Sequence, residues 1–161
     1  MRLSARKKFE RQAGLGMIEA LVAMVIISLG LLGIAALQLS SLKQSSSAQW
    51  HSQAVWYSYE ITDRIAANRG AFADYIGIDT NNAYQMDCMT NNCTAIQMVE
   101  ADAQIWKEMV GNLPEGRGVI TSPANQVLQI AIMWKEDAQE SNCTNGEPDA
   151  DNMTCYTVTI Q

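Results

Sequence analysis

Residues 14–42 read GLGMIEALVAMVIISLGLLGIAALQLSSL. From Ala20 to Leu42 there is no charged side chain. At a rise of about 1.5 Å per residue this run covers about 34 Å, enough to cross a hydrocarbon core about 30 Å thick. A soluble core helix is seldom apolar on every side for so long, so the run reads as a membrane segment. Ser28, Gly30 and Gly33 interrupt it. Glycine is tolerated there because no water competes for the backbone. Glu19 is the chemical anomaly at the front of the run. An unpaired acid near the bilayer centre costs about 2.5–3.5 kcal/mol. Glu19 is therefore either solvated at the interface or in need of a cationic partner.

Charge fixes the expected orientation. Residues 1–14 hold Arg2, Arg6, Lys7, Lys8 and Arg11 against Glu10 alone, a net +4 in a chain of net −6, which leaves −10 for the remainder. Basic residues ahead of an apolar run stay on the cytoplasmic side. The chain after Leu42 is then expected across the membrane. A secretory signal would place a small-x-small cleavage site after the run. Ala35-Ala36-Leu37 imitates one poorly. An uncleaved anchor, or cleavage ahead of the run, fits better.

The 161 residues are 48% hydrophobic and 17% charged, which suits one domain plus an anchor and argues against a disordered chain. An acidic chain with 11 Lys and Arg has little to offer a phosphate backbone, so no nucleic-acid partner is expected. The sequence has no P-loop, no HExxH, no G-x-S-x-G and a single histidine, His51. It offers no catalytic constellation and points to no cofactor and no metal.

Helical character is expected to continue past Leu42. From Lys43 to Asn68 there is no Pro and no Gly, so the Ser45-Ser46-Ser47 run reads as helix and not as a linker. His51, Ala54, Val55, Ser58, Ile61, Thr62 and Ile65 recur at three-and-four spacing. Lys43, Gln44, Gln53, Glu60, Arg64 and Asn68 form the opposite, polar side. Asn68-Arg69-Gly70 is a helix stop. A helix from Gly16 to Asn68 is about 80 Å long. Its second half needs a cover, and the following domain is the candidate. His51 on this stripe reads as a partly covered structural histidine, since no second ligand neighbours it.

The pattern changes after Gly70. Residues 71–97 read as loop with small elements. Met98 to Gly111 reads as an amphipathic helix, with Val99, Ala103, Trp106 and Val110 on one face, stopped by Leu113-Pro114-Glu115-Gly116. Gly118–Thr121, Val127–Trp134 and Thr154–Ile160 read as antiparallel strands, the first two joined around Ser122-Pro123-Ala124-Asn125. The expected fold is α+β: a long helix packed on a small antiparallel sheet. The expected division is a basic leader at 1–14, a long helix at 15–69 with its membrane part at about 20–42, and a globular domain at 70–161.

Cys88, Cys93, Cys143 and Cys155 all follow the membrane run. An even number in an exported domain suggests disulfides, and four cysteines allow three pairings. The local pairing, Cys88–Cys93 and Cys143–Cys155, is preferred because both pairs flank Asn-rich segments that nothing else holds. A four-cysteine zinc site needs C-x₂₋₄-C spacing, which the second pair lacks. Glu136, Asp137, Glu140, Glu147, Asp149 and Asp151 crowd residues 136–151. Asp149-Ala150-Asp151-Asn152 has the start of a calcium loop but not the rest, so a solvated acidic loop is the preferred reading.

Several of these features coincide in one pattern. The basic leader, Gly14-Leu15-Gly16-Met17-Ile18-Glu19 and the uncharged run resemble the class III signal of type IV pilins and type II secretion pseudopilins. The resemblance implies cleavage by a prepilin peptidase after Gly14 and methylation of the new amino terminus at Leu15. Glu19 then becomes the fifth mature residue; a cut after Gly16 would make it the third. MIEALVAMVIISLGLLGIAALQ, Asp63-Arg64-Ile65-Ala66-Ala67-Asn68-Arg69 and Leu113-Pro114-Glu115-Gly116 further resemble PilV-type minor pilins. This implies a structural protein of the bacterial inner membrane, single-pass, with its globular domain in the periplasm, that enters a type IV pilus or its priming complex. The implied partners are the prepilin peptidase, other minor and major pilins and the inner-membrane assembly platform. In such a filament Glu19 would meet the free amine of a neighbouring helix and set its register. A type II secretion pseudopilin shares the same signal. A membrane-anchored periplasmic binding domain, with the acidic loop as its site, is a third reading.

Overall fold

The computed structural model describes residues 15–88, 90, 92–136 and 153–161. The chain divides into two compact units, Met1–Ser45 and Ser46–Gln161. The first helix, α1, runs Leu15–Ala67 without interruption.

In the first unit every residue from Gly16 to Ser45 is exposed. Met17 is 79% exposed, Leu29 65% and Leu37 73%. Such a surface is not a soluble helix face, since water would meet apolar side chains all round. The one interior hydroxyl with a described bond is satisfied locally: Ser28 Oγ donates to the Met24 carbonyl at 2.7 Å. Gly30 and Gly33 lie inside the helix without breaking it.

The second unit has its own core. A 3-10 segment (Arg69–Tyr75) follows α1, then α2 (Ala95–Val110), β1 (Arg117–Ala124), β2 (Val127–Lys135) and β3 (Met153–Ile160). The strands form one antiparallel sheet in the order β1-β2-β3. Ala54, Ile61 and Ile65 from the later part of α1 meet Val99, Ala103, Trp106 and Val110 from α2. Both helices cover the same sheet face, which contributes Ile120, Leu128, Ile130, Ile132 and Trp134. The expected α+β arrangement is therefore observed.

Particular boundaries differ from the sequence reading, each for a local reason. α2 starts at Ala95, one turn before Met98. Thr94 accepts from the Gln97 N–H while Gln97 accepts from the Thr94 N–H, a capping box that satisfies two otherwise orphaned donors. Among the described residues, the stretch 71–94 is loop with small elements, as expected. The 3-10 segment buries Ala71 and Tyr75, and residues 77–80 lie alongside β1. β1 extends through Pro123 with an irregularity between Thr121 and Ala124. The tight turn falls at Asn125-Gln126, where Gln126 takes φ 59°.

Two close approaches hold α2 to the sheet. Trp106 is fully buried and donates from Nε1 to the Tyr57 carbonyl at 3.1 Å. Its ring lies directly over Gly118, where an added Cβ would come within 2.5 Å of Cη2. Only glycine leaves room for this ring. The expected stripe on α1 is buried at Ala54, Ser58, Ile61 and Ile65, with Tyr57 added. His51 is exposed, and its ring stands edge-on to Trp134 and Tyr156, with centroids 6.1 and 5.6 Å away.

Candidate functional site

The first part of the site is the start of α1. Leu15 is its first residue and Glu19 lies one turn further on. Glu19 is exposed, and the uncharged surface of Ala20–Leu42 follows it directly. Gly14 and the basic leader lie outside the described residues. A cut after Gly14 would put a free amine on the residue that opens the helix.

The second part fastens the later half of α1 to α2. Arg64 Nη1 donates to Asp102 Oδ1 at 3.1 Å, and Arg64 Nη2 to Glu60 at 2.9 Å. The Tyr75 hydroxyl donates to Asp102 Oδ2 at 2.6 Å. Asn68 Nδ2 donates to the Tyr75 hydroxyl and to the Ala95 carbonyl at the start of α2. Asp102 is only 4% exposed. A buried carboxylate of this kind is tolerable only with charge-assisted partners on both oxygens. Burial works against the Arg64 charge, but the hydrogen bonds to Asp102 and Glu60, with their charges, outweigh it and raise its pKa. Burial, with the bond to Asp102, raises the Tyr75 pKa well above the ordinary phenol value.

The sequence pattern alone puts Arg64 on the polar side of α1 and assigns Asp102 no role. A signal was available: Asp102 sits on the Val99, Ala103, Trp106 face of α2. An acid among core positions calls for a buried partner.

Elsewhere, Arg117 grips Asp79 through two bonds of 3.1 and 2.6 Å, which holds the Asp79 pKa below its ordinary value. The Cys88–Cys93 disulfide forms as expected, with 5.6 Å between Cα atoms, and Cys93 immediately precedes the Thr94 cap. Cys155 is also disulfide-bonded. Its expected partner Cys143, and the acidic residues Asp137, Glu140, Glu147, Asp149 and Asp151, lie outside the described residues. Among the described residues no group of His, Cys, Asp and Glu could hold a metal ion. An open groove of about 710 Å³ lies between the end of α1 and the β1–β2 turn, lined by Ile65, Arg69, Phe72, Val127 and Ile160.

An exposed apolar helix carrying an acid in its first turns, joined in sequence to a small α+β unit, defines a class of membrane-anchored structural proteins. Two family models agree. One, described as the prokaryotic N-terminal methylation motif, matches residues 10–35. The other, described as type IV pilin Tt1218, matches residues 36–104. The chain is a type IV pilin-like protein that carries a prepilin-peptidase signal. That family is structural and not enzymatic. The matches run from the leader through most of α2 and leave the sheet outside them. No curated protein and no solved structure matches the chain.

Proposed function

We propose that this chain is a minor pilin of the PilV kind. Prepilin peptidase removes residues 1–14, and Leu15 is methylated. The mature chain spans the bacterial inner membrane once, through about residues 20–42, with its globular part in the periplasm. It then assembles through α1, with other pilins and the inner-membrane platform, into a type IV pilus or its priming complex.

The observation that carries this reading is the surface of α1 in the first unit. It is apolar on every side, none of it is buried, and its only charge ahead of Lys43 is Glu19. A simple anchor needs the apolar surface but not an acid one turn from the helix start. In a filament core the amine of a neighbouring Leu15 gives Glu19 a partner, and a paired charge is tolerable where a lone one is not. Mass spectrometry of the membrane form tests the first step. The expected result is loss of residues 1–14 and one added methyl on Leu15. An intact Met1 in cells with active peptidase rules the reading out.

A further inference from the structure

The sheet has two edges, and they are treated differently. On the β1 side, the Gly77 N–H donates to the Ile120 carbonyl, the Ile120 N–H to the Ile78 carbonyl and the Thr80 N–H to the Gly118 carbonyl, each at 2.9 Å. Residues 77–80 thus cover that edge. Pro123 and the irregularity between Thr121 and Ala124 blunt its far end. Natural sheets use such devices to prevent unwanted pairing.

The same bonds fix the direction of every backbone group across the sheet. Gly118 and Ile120 face away from β2, so Val119 exchanges bonds with Ala131. Ile130 and Ile132 then face β3, where they pair with Val158 and Tyr156. It follows that Thr157 and Thr159 turn their N–H and C=O groups outward. Among the described residues none bonds to these groups. β3 pairs with β2 over eight consecutive residues with no register shift. It contains no Pro and no charge. Tyr156, Val158 and Ile160 lie on the core side, while the Thr157 and Thr159 side chains are exposed. Among the described residues, none protects this edge as residues 77–80 protect the other.

We infer that the β3 edge is a docking site for an extended strand of a different, basic protein, added to the sheet by main-chain pairing. Charge selects the occupant. Residues 46–161 hold five Lys and Arg against fifteen Asp and Glu, a net −10. A second copy is repelled by that charge, whereas a strand flanked by Lys or Arg is attracted. The uncharged edge itself calls for an uncharged strand centre, polar on the Thr157 side and apolar on the other.

The experiment uses the full chain in detergent micelles and the synthetic peptide KKTVTVTVKK, with EETVTVTVEE as its charge control. Amide exchange is read at Thr157 and Thr159, and affinity by fluorescence anisotropy. The lysine peptide is expected to slow exchange at both amides and to bind at least about tenfold tighter than the glutamate peptide. Thr157→Pro removes an outward N–H that β2 does not use, so it should weaken binding by about tenfold or more with melting unchanged. Thr157→Lys, which leaves the backbone intact, should weaken it too. Absence of protection at about 1 mM peptide, where a useful site would be occupied, overturns the proposal. So does a Thr157→Pro or Thr157→Lys protein that binds as well as wild type. A dimer in sedimentation that Thr157→Lys abolishes overturns the choice of occupant in favour of a second copy.

Discussion

Arg64 on α1 and Asp102 on α2, 38 residues apart in sequence, are joined by a 3.1 Å hydrogen-bonded ion pair whose acid is almost fully buried. The pair is asymmetric, because the Arg64 side chain keeps 29% of its surface exposed and Asp102 only 6%. Removing the cation therefore strands a charge, whereas removing the acid leaves a cation that can turn to water.

That asymmetry sets the order of two variants. Arg64→Met is expected to destabilise by about 3–5 kcal/mol, the cost of leaving a buried charge unpaired. Asp102→Ala should cost less, about 1.5–3 kcal/mol, the loss of hydrogen bonds to a charged group. Urea unfolding of both proteins checks the order. Equal effects would show that Asp102 finds other partners when Arg64 is gone.

Acid sensitivity is expected from Asp79. Its hydrogen bonds from Arg117, and the Asn81 N–H, hold its folded pKa below the unfolded value, against the effect of burial. The unfolded chain therefore binds more protons as pH falls through that interval. The stabilisation is present above about pH 4 and is lost as pH drops toward the folded pKa. Asp79→Asn should flatten this acid limb in a melting-temperature series.

The alkaline side has the opposite sign. Tyr75 has a raised folded pKa, so its contribution is complete below about pH 10 and declines above it as the unfolded chain ionises first. Tyr75→Phe should be less stable at neutral pH, having lost its bond to Asp102, yet lose less stability between about pH 10 and 12. Parallel melting curves for the two proteins through that range would refute the assignment.

Gly118→Ala is expected to be far more harmful than Gly70→Ala. The new methyl at 118 meets the Trp106 ring, which is fully buried and bonded to the Tyr57 carbonyl, while nothing lies within 4 Å of a Cβ at 70. Overpacking of this kind costs about 1–3 kcal/mol. Near-ultraviolet circular dichroism should also register the displaced tryptophan. Similar stabilities for the two variants would mean that α2 lifts from β1 without penalty.

Glu19→Ala separates an assembling subunit from an anchor. On the proposed reading the variant should insert and be cleaved as wild type, since the leader, Gly14 and the apolar run would carry the signal for both. Its incorporation should fall by about two orders of magnitude, because a neighbour's amine would enter an apolar core unpaired. The amount of protein in sheared pili, set against its level in membranes, is the measurement. Undiminished incorporation would make Glu19 a solvated interfacial acid.

Legibility in the sequence followed the range of the interaction. The uncharged run 20–42 announces a helix long and apolar enough to cross a membrane, because lipid would impose the same demand on every residue of it. The stripe through Ala54, Ile61 and Ile65 and the alternation in Val127–Trp134 expose helix and strand because burial follows local periodicity. These patterns determined the α+β class by themselves. Tertiary structure decided what depends on a distant partner. Arg64 is a surface residue by its own helix and a buried-pair residue only once α2 brings Asp102 to it. Residues 77–80 have no strand pattern and pair because Gly118 and Ile120 offer outward backbone groups. Gly118 could have been any glycine until Trp106 lay across it. Each of these rests on groups far apart in the chain, whose meeting depends on how the helices settle on the sheet and not on any spacing within one element.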